Sequence, residues 1–106
     1  MKSNVKRFIK HLYCLEYPGL NDFPEDPYNA YGDVRVDVGY EGSKGVTNYS
    51  FKVYTPKSII RQMKEKNSKF LLGKHVLIIE KFDFDLIKEA VESIIDNIEE
   101  YGRDVT

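Results

Sequence analysis

The segment 71–75 comes closest to a ligand-binding motif, because its order Leu-Leu-Gly-Lys-His resembles the end of a phosphate-binding loop. Such a loop needs a further glycine five residues before Gly73, and a serine or threonine after the lysine to hold magnesium. Ser68 and His75 stand at those two positions. The glycine-rich segment 39–45 lacks the following helix whose N-terminus would cradle a phosphate. The sequence therefore does not indicate nucleotide binding.

Histidine, cysteine and acidic residues form no convincing metal site or catalytic pair. His11 and Cys14 would share a face only on a helix, and a zinc site needs about four ligands. The second histidine, His75, is distant along the chain. Asp83 and Asp85 are close together, but general acid–base catalysis needs a pocket that shifts the pKa of a carboxyl group. We expect no catalytic residue, cofactor or metal.

Length and composition limit the chain to one domain, residues 1–106, with a net charge of −1. Cys14 is the single cysteine, so an internal disulfide is impossible. Lys10 and His11 interrupt the apolar stretch that a signal peptide needs, and no apolar run approaches the length of a membrane span. We expect a cytoplasmic protein without a membrane partner.

Charge is distributed in blocks along the sequence, although its total is near zero. Residues 15–41 carry seven acids against Arg35, and residues 42–74 carry eight bases against Glu65. Residues 75–106 are again acidic, with nine acids against three bases. Such blocks create local fields that can steer a charged partner, unless opposite blocks face each other in the fold.

Two segments, residues 33–40 and residues 47–54, alternate between apolar and polar side chains, which indicates half-buried strands. The glycine-containing segment 41–46 between them predicts an antiparallel hairpin. Residues 16–32 contain three prolines and predict a long irregular loop. Residues 5–15 fit a helix or a strand, and their aromatic and cysteine content favours a strand.

Thr55 and Pro56 are typical of a helix start, where a capping hydroxyl precedes a proline at the first helical position. The predicted helix ends near Lys66. Its buried apolar side is expected to consist of Ile59, Ile60 and Met63. Residues 75–80 contain a continuous apolar run, which is typical of an inner strand covered on both faces.

The last helix carries one apolar stripe, whose members recur at spacings of three and four. They are Phe84, Ile87, Val91, Ile94, Ile98 and Tyr101. Asp83 or Asp85 can cap the start of this helix, and Gly102 marks its end. The expected fold class is α+β: a mainly antiparallel four-stranded sheet with two helices packed on one face, in the order β-β-β-α-β-α.

Three short motifs follow one another along most of the chain. They are Pro-Glu-Asp-Pro at residues 24–27, Thr-Pro-Lys at residues 55–57, and Gly-Lys-His-Val-Leu-Ile-Ile-Glu-Lys-Phe-Asp at residues 73–83. Their order and spacing resemble the immunity protein 8 family of bacterial polymorphic-toxin systems. The chain departs from that family at Ser58, where a tryptophan is usual. The resemblance implies a stoichiometric inhibitor without catalysis, made beside a toxin that is often a nuclease.

If the toxin cuts nucleic acid, its cleft is basic, and the acidic block of this chain is the expected substrate mimic. The hypothesis assigns toxin binding to six acids and two aromatic anchors, Asp22, Glu25, Asp26, Asp33, Asp37, Glu41, Tyr28 and Tyr31. The alternative is that residues 24–27 form a rigid turn with solvated acids. An alternative surface on the open sheet face comprises Arg35, Lys52 and Tyr54. The acidic side of the last helix is a third possibility.

Two other functions are compatible with the sequence. One is a nucleic-acid- or phosphate-binding module that uses the basic segment 42–74, with Lys57, Arg61 and Lys64 on one helix side. The other is a structural subunit of a larger assembly. The immunity function is preferred, and it implies a 1:1 heterodimer with a toxin domain of a contact-dependent growth inhibition system. No direct contact with nucleic acid is expected.

Overall fold

A computed structural model describes residues 5–19 and 22–106, and it has the α+β fold and the element order that the sequence predicts. The described residues form a five-stranded sheet, two α-helices and a 3-10 segment. In chain order the elements are β1 (Arg7–Cys14), β2 (Tyr31–Tyr40), β3 (Val46–Tyr54), α1 (Pro56–Glu65), β4 (Val76–Ile78), α2 (Phe84–Ser93), the 3-10 segment (Ile95–Glu100) and β5 (Arg103–Asp104). The short β5 is an addition to the four predicted strands. No helix in this described part is long and apolar enough to cross a membrane.

The sheet runs in the order β1-β2-β3-β4 and is antiparallel except where β3 pairs with β4. The parallel pair is possible because α1 lies in the long connection between these strands, which brings the chain back to the same end. β4 pairs with Lys52–Tyr54 of β3, and β5 pairs with Tyr49 and Ser50 farther along that edge. The two short strands therefore share one edge of β3.

The β2–β3 hairpin is the centre of the sheet and has the alternation that the sequence predicts. In its register Val34 lies opposite Phe51, and Val36 lies opposite Tyr49. The buried side chains of the two strands are Val34, Val36, Val38, Tyr49, Phe51 and Val53. Because side chains alternate along a strand, the intervening polar residues lie on the opposite face of the sheet.

The turn of this hairpin depends on a glycine. The Tyr40 carbonyl accepts a hydrogen bond from the Ser43 N–H at 3.0 Å, and Gly42 between them has a φ of +80°. A left-handed residue at this position is the mark of a type II turn, where glycine is strongly preferred. The predicted hairpin connection therefore has a defined physical basis at Gly42.

β1 changes faces within its length, which explains why its periodicity is ambiguous. Its pairing with β2 shifts between Ile9 and His11, so that Lys10 lies in a β-bulge. Ile9 packs against the core before the bulge, and Leu12 and Cys14 do so after it. In a regular strand Ile9 and Leu12 would lie on opposite faces. The extra residue allows both to reach the core.

The apolar core lies between one face of the sheet and the C-terminal part of the chain. α2 contributes Ile87 and Val91, and the 3-10 segment contributes Ile98. All three are almost completely buried. Ile79 and Phe82, from the segment between β4 and α2, complete this side of the core. The predicted helical stripe therefore does cover the sheet over most of its length.

The last helix is not continuous, which corrects the prediction. α2 ends at Ser93, and the following 3-10 segment contains a non-helical residue, Asn97. Tyr101, the last member of the predicted stripe, is 49% exposed. Gly102 does follow the helical region, and its lack of a side chain allows the backbone to approach the core closely. A Cβ at this position would lie 2.7 Å from the Phe51 ring.

α1 and β4 are less buried than the sequence predicts. α1 begins after Thr55 as expected, but its buried residues are Ser58 and Gln62, whereas Ile60 is 51% exposed. β4 lies at the edge of the sheet and not inside it, and Ile78 is 60% exposed. The prediction of an inner strand covered on both faces is therefore wrong. One side of β4 faces solvent.

Thr55 connects the long loop to the start of α1. Its hydroxyl accepts a hydrogen bond from the Ala30 N–H at 3.0 Å and donates one to the Ala30 carbonyl at 3.1 Å. The Ser58 hydroxyl completes the helix cap by accepting from the Thr55 N–H at 3.1 Å. Thr55 and Ser58 are both completely buried. The starts of β2 and α1 are thereby held together.

The substitution Thr55→Val is expected to lower the free energy of unfolding by about 2 kcal/mol, because it leaves the buried Ala30 N–H without its acceptor. Urea unfolding followed by circular dichroism measures this effect. Thr47→Val is the matched control, since the Thr47 hydroxyl bonds the Tyr40 hydroxyl at a partly exposed site. An equal loss in both variants would contradict the special role of Thr55.

Candidate functional site

The loop between β1 and β2, residues 15–30, is held against its neighbours by hydrogen bonds. The Glu16 carboxylate accepts from the Asp33 N–H with both oxygens, at 2.9 and 3.0 Å. The Pro27 carbonyl accepts from the Phe82 N–H at 2.7 Å. The described part of the loop is therefore fixed to β2 on one side and to the segment before α2 on the other.

A cleft of about 470 Å³ opens between this loop and α1. Three carboxylates and one guanidinium line it, together with the ring of Tyr31. We call it the acidic cleft, and its charged residues are Glu16, Glu25, Asp26 and Arg61. The Arg61 side chain does not neutralise the three acids, so the cleft keeps an excess of negative charge.

Two loop acids of the binding hypothesis also stabilise the turns of the loop. Asp22 accepts a hydrogen bond from the Gly19 N–H at 2.9 Å, and Asp26 accepts one from the Tyr28 N–H at 3.0 Å. Glu25 is exposed and makes no hydrogen bond within residues 5–19 and 22–106. Hydrogen bonds therefore hold parts of the loop, while its carboxylates remain exposed.

The acids that follow the loop are spread along β2. Asp33 lies near the start of β2, where its N–H donates to Glu16 of the acidic cleft. Asp37, farther along the strand, accepts a hydrogen bond from Asn48 and lies 3.5 Å from the His11 ring. Glu41 follows the far end of β2, which at about 3.3 Å per residue is roughly 30 Å from the start of the strand. The structure brings Glu25 and Asp26 together in the acidic cleft, whereas Asp22 does not line that cleft. Glu41 lies at the opposite end of the hairpin.

The two tyrosines of the hypothesis are each close to half exposed, at 47% for Tyr28 and 44% for Tyr31. The Lys81 ammonium lies 5.7 Å from the centre of the Tyr28 ring. Tyr31 lies between Tyr54, at 6.0 Å in a stacked arrangement, and the Arg61 guanidinium, at 5.8 Å. Tyr31 is thereby held at the border between the acidic cleft and the sheet.

The side of the sheet opposite the core, here called the outer sheet face, carries the alternative surface of Arg35, Lys52 and Tyr54. Lys52 lies opposite Asp33 in the register, and Arg35 lies opposite Ser50. These side chains are half-buried or exposed. Burial raises the pKa of Tyr54, and the negative charge of Asp33 raises it further. The face therefore presents both signs of charge next to a protonated tyrosine.

The basic segment 42–74 does not converge on one surface. Lys44 lies in the β2–β3 turn, whereas Lys57 and Lys64 lie on α1, beyond the opposite end of β3. Arg61 lines the acidic cleft and is not part of a basic surface. A nucleic-acid interface typically has its bases clustered on one face or along one helix. Although α1 carries three bases, Arg61 lines the acidic cleft and Lys44 lies in the distant hairpin turn, so the segment as a whole does not form the clustered surface that this function needs.

The acidic side of the last helix is exposed, as expected for a solvated face. Glu89 and Glu92 lie on α2, and Glu92 is 3.9 Å from the Lys88 ammonium. Ion pairs of this exposed kind contribute little to stability. Neither Glu89 nor Glu92 lines the acidic cleft.

A second concavity, of about 700 Å³, lies between the loop and the start of α2, and the sequence did not predict it. Its wall contains four rings in edge-to-face contact, with successive centres 5.6, 6.1 and 6.5 Å apart. They are Tyr17, Phe82, Phe84 and Phe23. Such contacts stabilise the loop on the core. They join two segments that are distant in sequence, so periodicity carries no signal of them.

His11 and Cys14 lie on different sides of β1, since His11 is exposed and Cys14 is completely buried. Within the described ranges no group of three histidine, cysteine or acidic residues could hold a metal ion. The Cys14 thiol lies 3.8 Å from the Glu16 carboxylate. Burial raises the pKa of this thiol, which disfavours the reactive thiolate.

In the folded protein, Cys14 is expected to react with a thiol reagent at pH 8 at least about tenfold more slowly than in urea, because burial blocks access and raises the thiol pKa. Absorbance after addition of Ellman's reagent measures both rates. The protein unfolded in urea is the internal control. Equal rates in the two conditions would show that the Cys14 side of β1 opens readily.

Comparison with known families is consistent with the motifs that run along the chain. Residues 8–105 match the family model described as immunity protein 8, which covers β1 to β5 almost completely. Neither a curated protein nor a solved structure matches the chain. The family is therefore the basis on which the cleft and the outer sheet face can be interpreted.

Proposed function

Because the chain belongs to the immunity protein 8 family, its partner is a toxin, and we propose that it neutralises that toxin as a 1:1 complex. The proposed mechanism is occlusion: the bound protein covers the surface that the toxin needs for its activity. Such a mechanism requires shape and charge complementarity in the inhibitor and no catalytic group of its own.

The acidic cleft is the observation that supports a nuclease as the toxin. An enzyme that binds nucleic acid presents basic side chains to the phosphate backbone. Glu16, Glu25 and Asp26 present carboxylates around one cleft, as a substitute for phosphates. The complementary fields speed the encounter of the two proteins and favour the correct orientation.

The hydrogen bonds of the loop support tight binding. Glu16 is held by the backbone of Asp33, Asp26 accepts from Tyr28, and Thr55 fastens the end of the loop to α1. A surface that is ordered before binding loses less conformational entropy when the complex forms. A toxin that kills at a few copies per cell requires a dissociation constant below about 1 nM, or roughly −12 kcal/mol.

We propose further that the complex forms in the cytoplasm, as part of a contact-dependent polymorphic-toxin system. The single Cys14 is free and buried, which is compatible with a reducing compartment. Fractionation of the producing cells tests this location. Recovery of the protein mainly outside the cytoplasmic fraction would contradict it.

The decisive experiment is co-expression of the chain with the toxin domain encoded immediately upstream. Size-exclusion chromatography with light scattering measures the stoichiometry, and growth with and without the chain measures protection. We expect a 1:1 complex and restored growth. Absence of both would contradict the proposed function for that pair.

The alternative module is tested with the same purified chain. Binding of RNA and DNA is measured at low and high salt, because phosphate contacts lose affinity steeply as salt rises. We expect no specific binding by the isolated chain. Tight, salt-dependent binding, together with failure to protect cells, would favour the nucleic-acid function of the basic segment 42–74.

A further inference from the structure

The acidic cleft and the outer sheet face meet at Tyr31. This residue forms part of the cleft wall, and its ring stacks on Tyr54 of the neighbouring strand. Tyr54 in turn lies opposite Ile78 in the parallel β3–β4 register. We call Tyr31, Tyr54 and Ile78 the aromatic row. It crosses three strands and continues the cleft onto the sheet.

The aromatic row is accessible because β4 is a short strand at the sheet edge. In β4 the neighbour Leu77 lies opposite the buried Val53, so Ile78 points to the outer face, where it is 60% exposed. Tyr31 at the other end of the row is 44% exposed. An aliphatic and two aromatic side chains therefore form a partly exposed apolar strip, with the half-buried Tyr54 in the middle.

Charged side chains border this strip, and acids are in excess. The next cross-strand row contains Asp33 opposite Lys52. At the cleft end, Glu25, Asp26 and Arg61 line the same cleft as Tyr31. A complementary partner must therefore present apolar side chains surrounded mainly by bases. A second copy of this chain would bring its own acidic border against the first, which is unfavourable.

We propose that the aromatic row anchors the cognate toxin, whose contacting surface has an apolar centre within a basic border. This inference rests on the proposed function and extends the toxin-binding surface from the acidic cleft onto the outer sheet face. Tyrosine and arginine dominate the binding energy of many interfaces when they lie near the centre of a desolvated contact. Tyr31, with Tyr54 on one side and Arg61 on the other, has that composition.

The test uses the complete chain and its cognate toxin domain, with an inactive toxin variant where needed. Tyr31→Ala is expected to raise the dissociation constant about 30-fold and Ile78→Ala about tenfold. Tyr101→Ala and Val46→Ala are the matched controls, because these residues are 49% and 40% exposed outside the row. They are expected to change the constant by less than about twofold.

Unfolding midpoints of all four variants identify any loss of binding that comes from misfolding. If the original chain binds the toxin and both row variants bind within threefold of it, the aromatic row is not the anchor. If the original chain forms no complex, the proposed function itself fails. A stable homodimer formed through this face, which the toxin does not displace, would also overturn the inference.

Discussion

Replacing Glu25 and Asp26 together with lysine is expected to weaken binding of the cognate toxin by about 100-fold, which corresponds to about 3 kcal/mol. The double substitution changes the charge of the acidic cleft by four units. Attraction between this cleft and a basic toxin surface then becomes repulsion. Because electrostatic steering acts before contact, most of the loss is expected in the association rate.

Two further variants separate charge from structure. Glu25→Gln with Asp26→Asn removes both charges and retains an acceptor for the Tyr28 N–H, so it is expected to have a smaller effect in the same direction. Glu89→Lys with Glu92→Lys makes the same change of four charge units on the exposed side of α2. This control is expected to reduce the association rate much less, because its charges lie away from the cleft.

Stopped-flow or biosensor kinetics at low and moderate salt measures these effects. The difference between the original chain and the lysine variant is expected to shrink as salt rises, since screening weakens interactions between exposed charges. An unchanged association rate for the lysine variant would reject the role of the acidic cleft. Equal losses in the cleft variant and the α2 variant would contradict a specific role of the cleft and would favour either a general charge effect or binding at the acidic side of α2.

Ile87→Ala is expected to lower the free energy of unfolding by about 3–4 kcal/mol. Ile87 is completely buried and packs between α2 and the sheet. The substitution removes buried apolar surface and leaves a cavity that the surrounding strands cannot fill without distortion. Small domains are stable by only about 5–15 kcal/mol, so this single change removes a large part of the total.

Ile60→Ala is the matched control, because it is the same substitution in the other α-helix. Ile60 is 51% exposed, and alanine has the higher helix propensity, so we expect a change within about 0.5 kcal/mol. Urea unfolding of both variants measures the difference. Similar losses at the two positions would mean that the apolar side of α1 is buried after all, as the sequence suggested.

The fold class, the order of the elements and the central hairpin can be predicted from local patterns in the sequence. Alternation over residues 33–40 and 47–54 fixes which side chains of β2 and β3 face the core, since a shift of one residue would expose every valine of β2. Thr55 and Pro56 locate the start of α1, and the succession of motifs identifies the family. These signals are local, or they depend only on the order of residues along the chain.

The burial and the exact extent of several elements depend on long-range contacts, and local patterns do not predict them. The bulge at Lys10 reconciles the two faces of β1, and its position depends on pairing with β2. Tyr101 leaves the helical stripe because the chain turns at Asn97 to place β5 on β3. Ile78 is exposed because β4 is the edge strand. Each outcome depends on a partner that is distant in sequence.

The candidate binding surface shows the same division. Sequence identified the acidic block and the exposed tyrosines, but it treated the loop and the open sheet face as alternatives. Stacking of Tyr31 on Tyr54 joins them, while the length of β2 separates Glu41 from both. Residue types and spacing determine which groups are available for binding. Which of these groups lie side by side is decided by strand register and loop anchoring, because these contacts form between segments far apart in the chain.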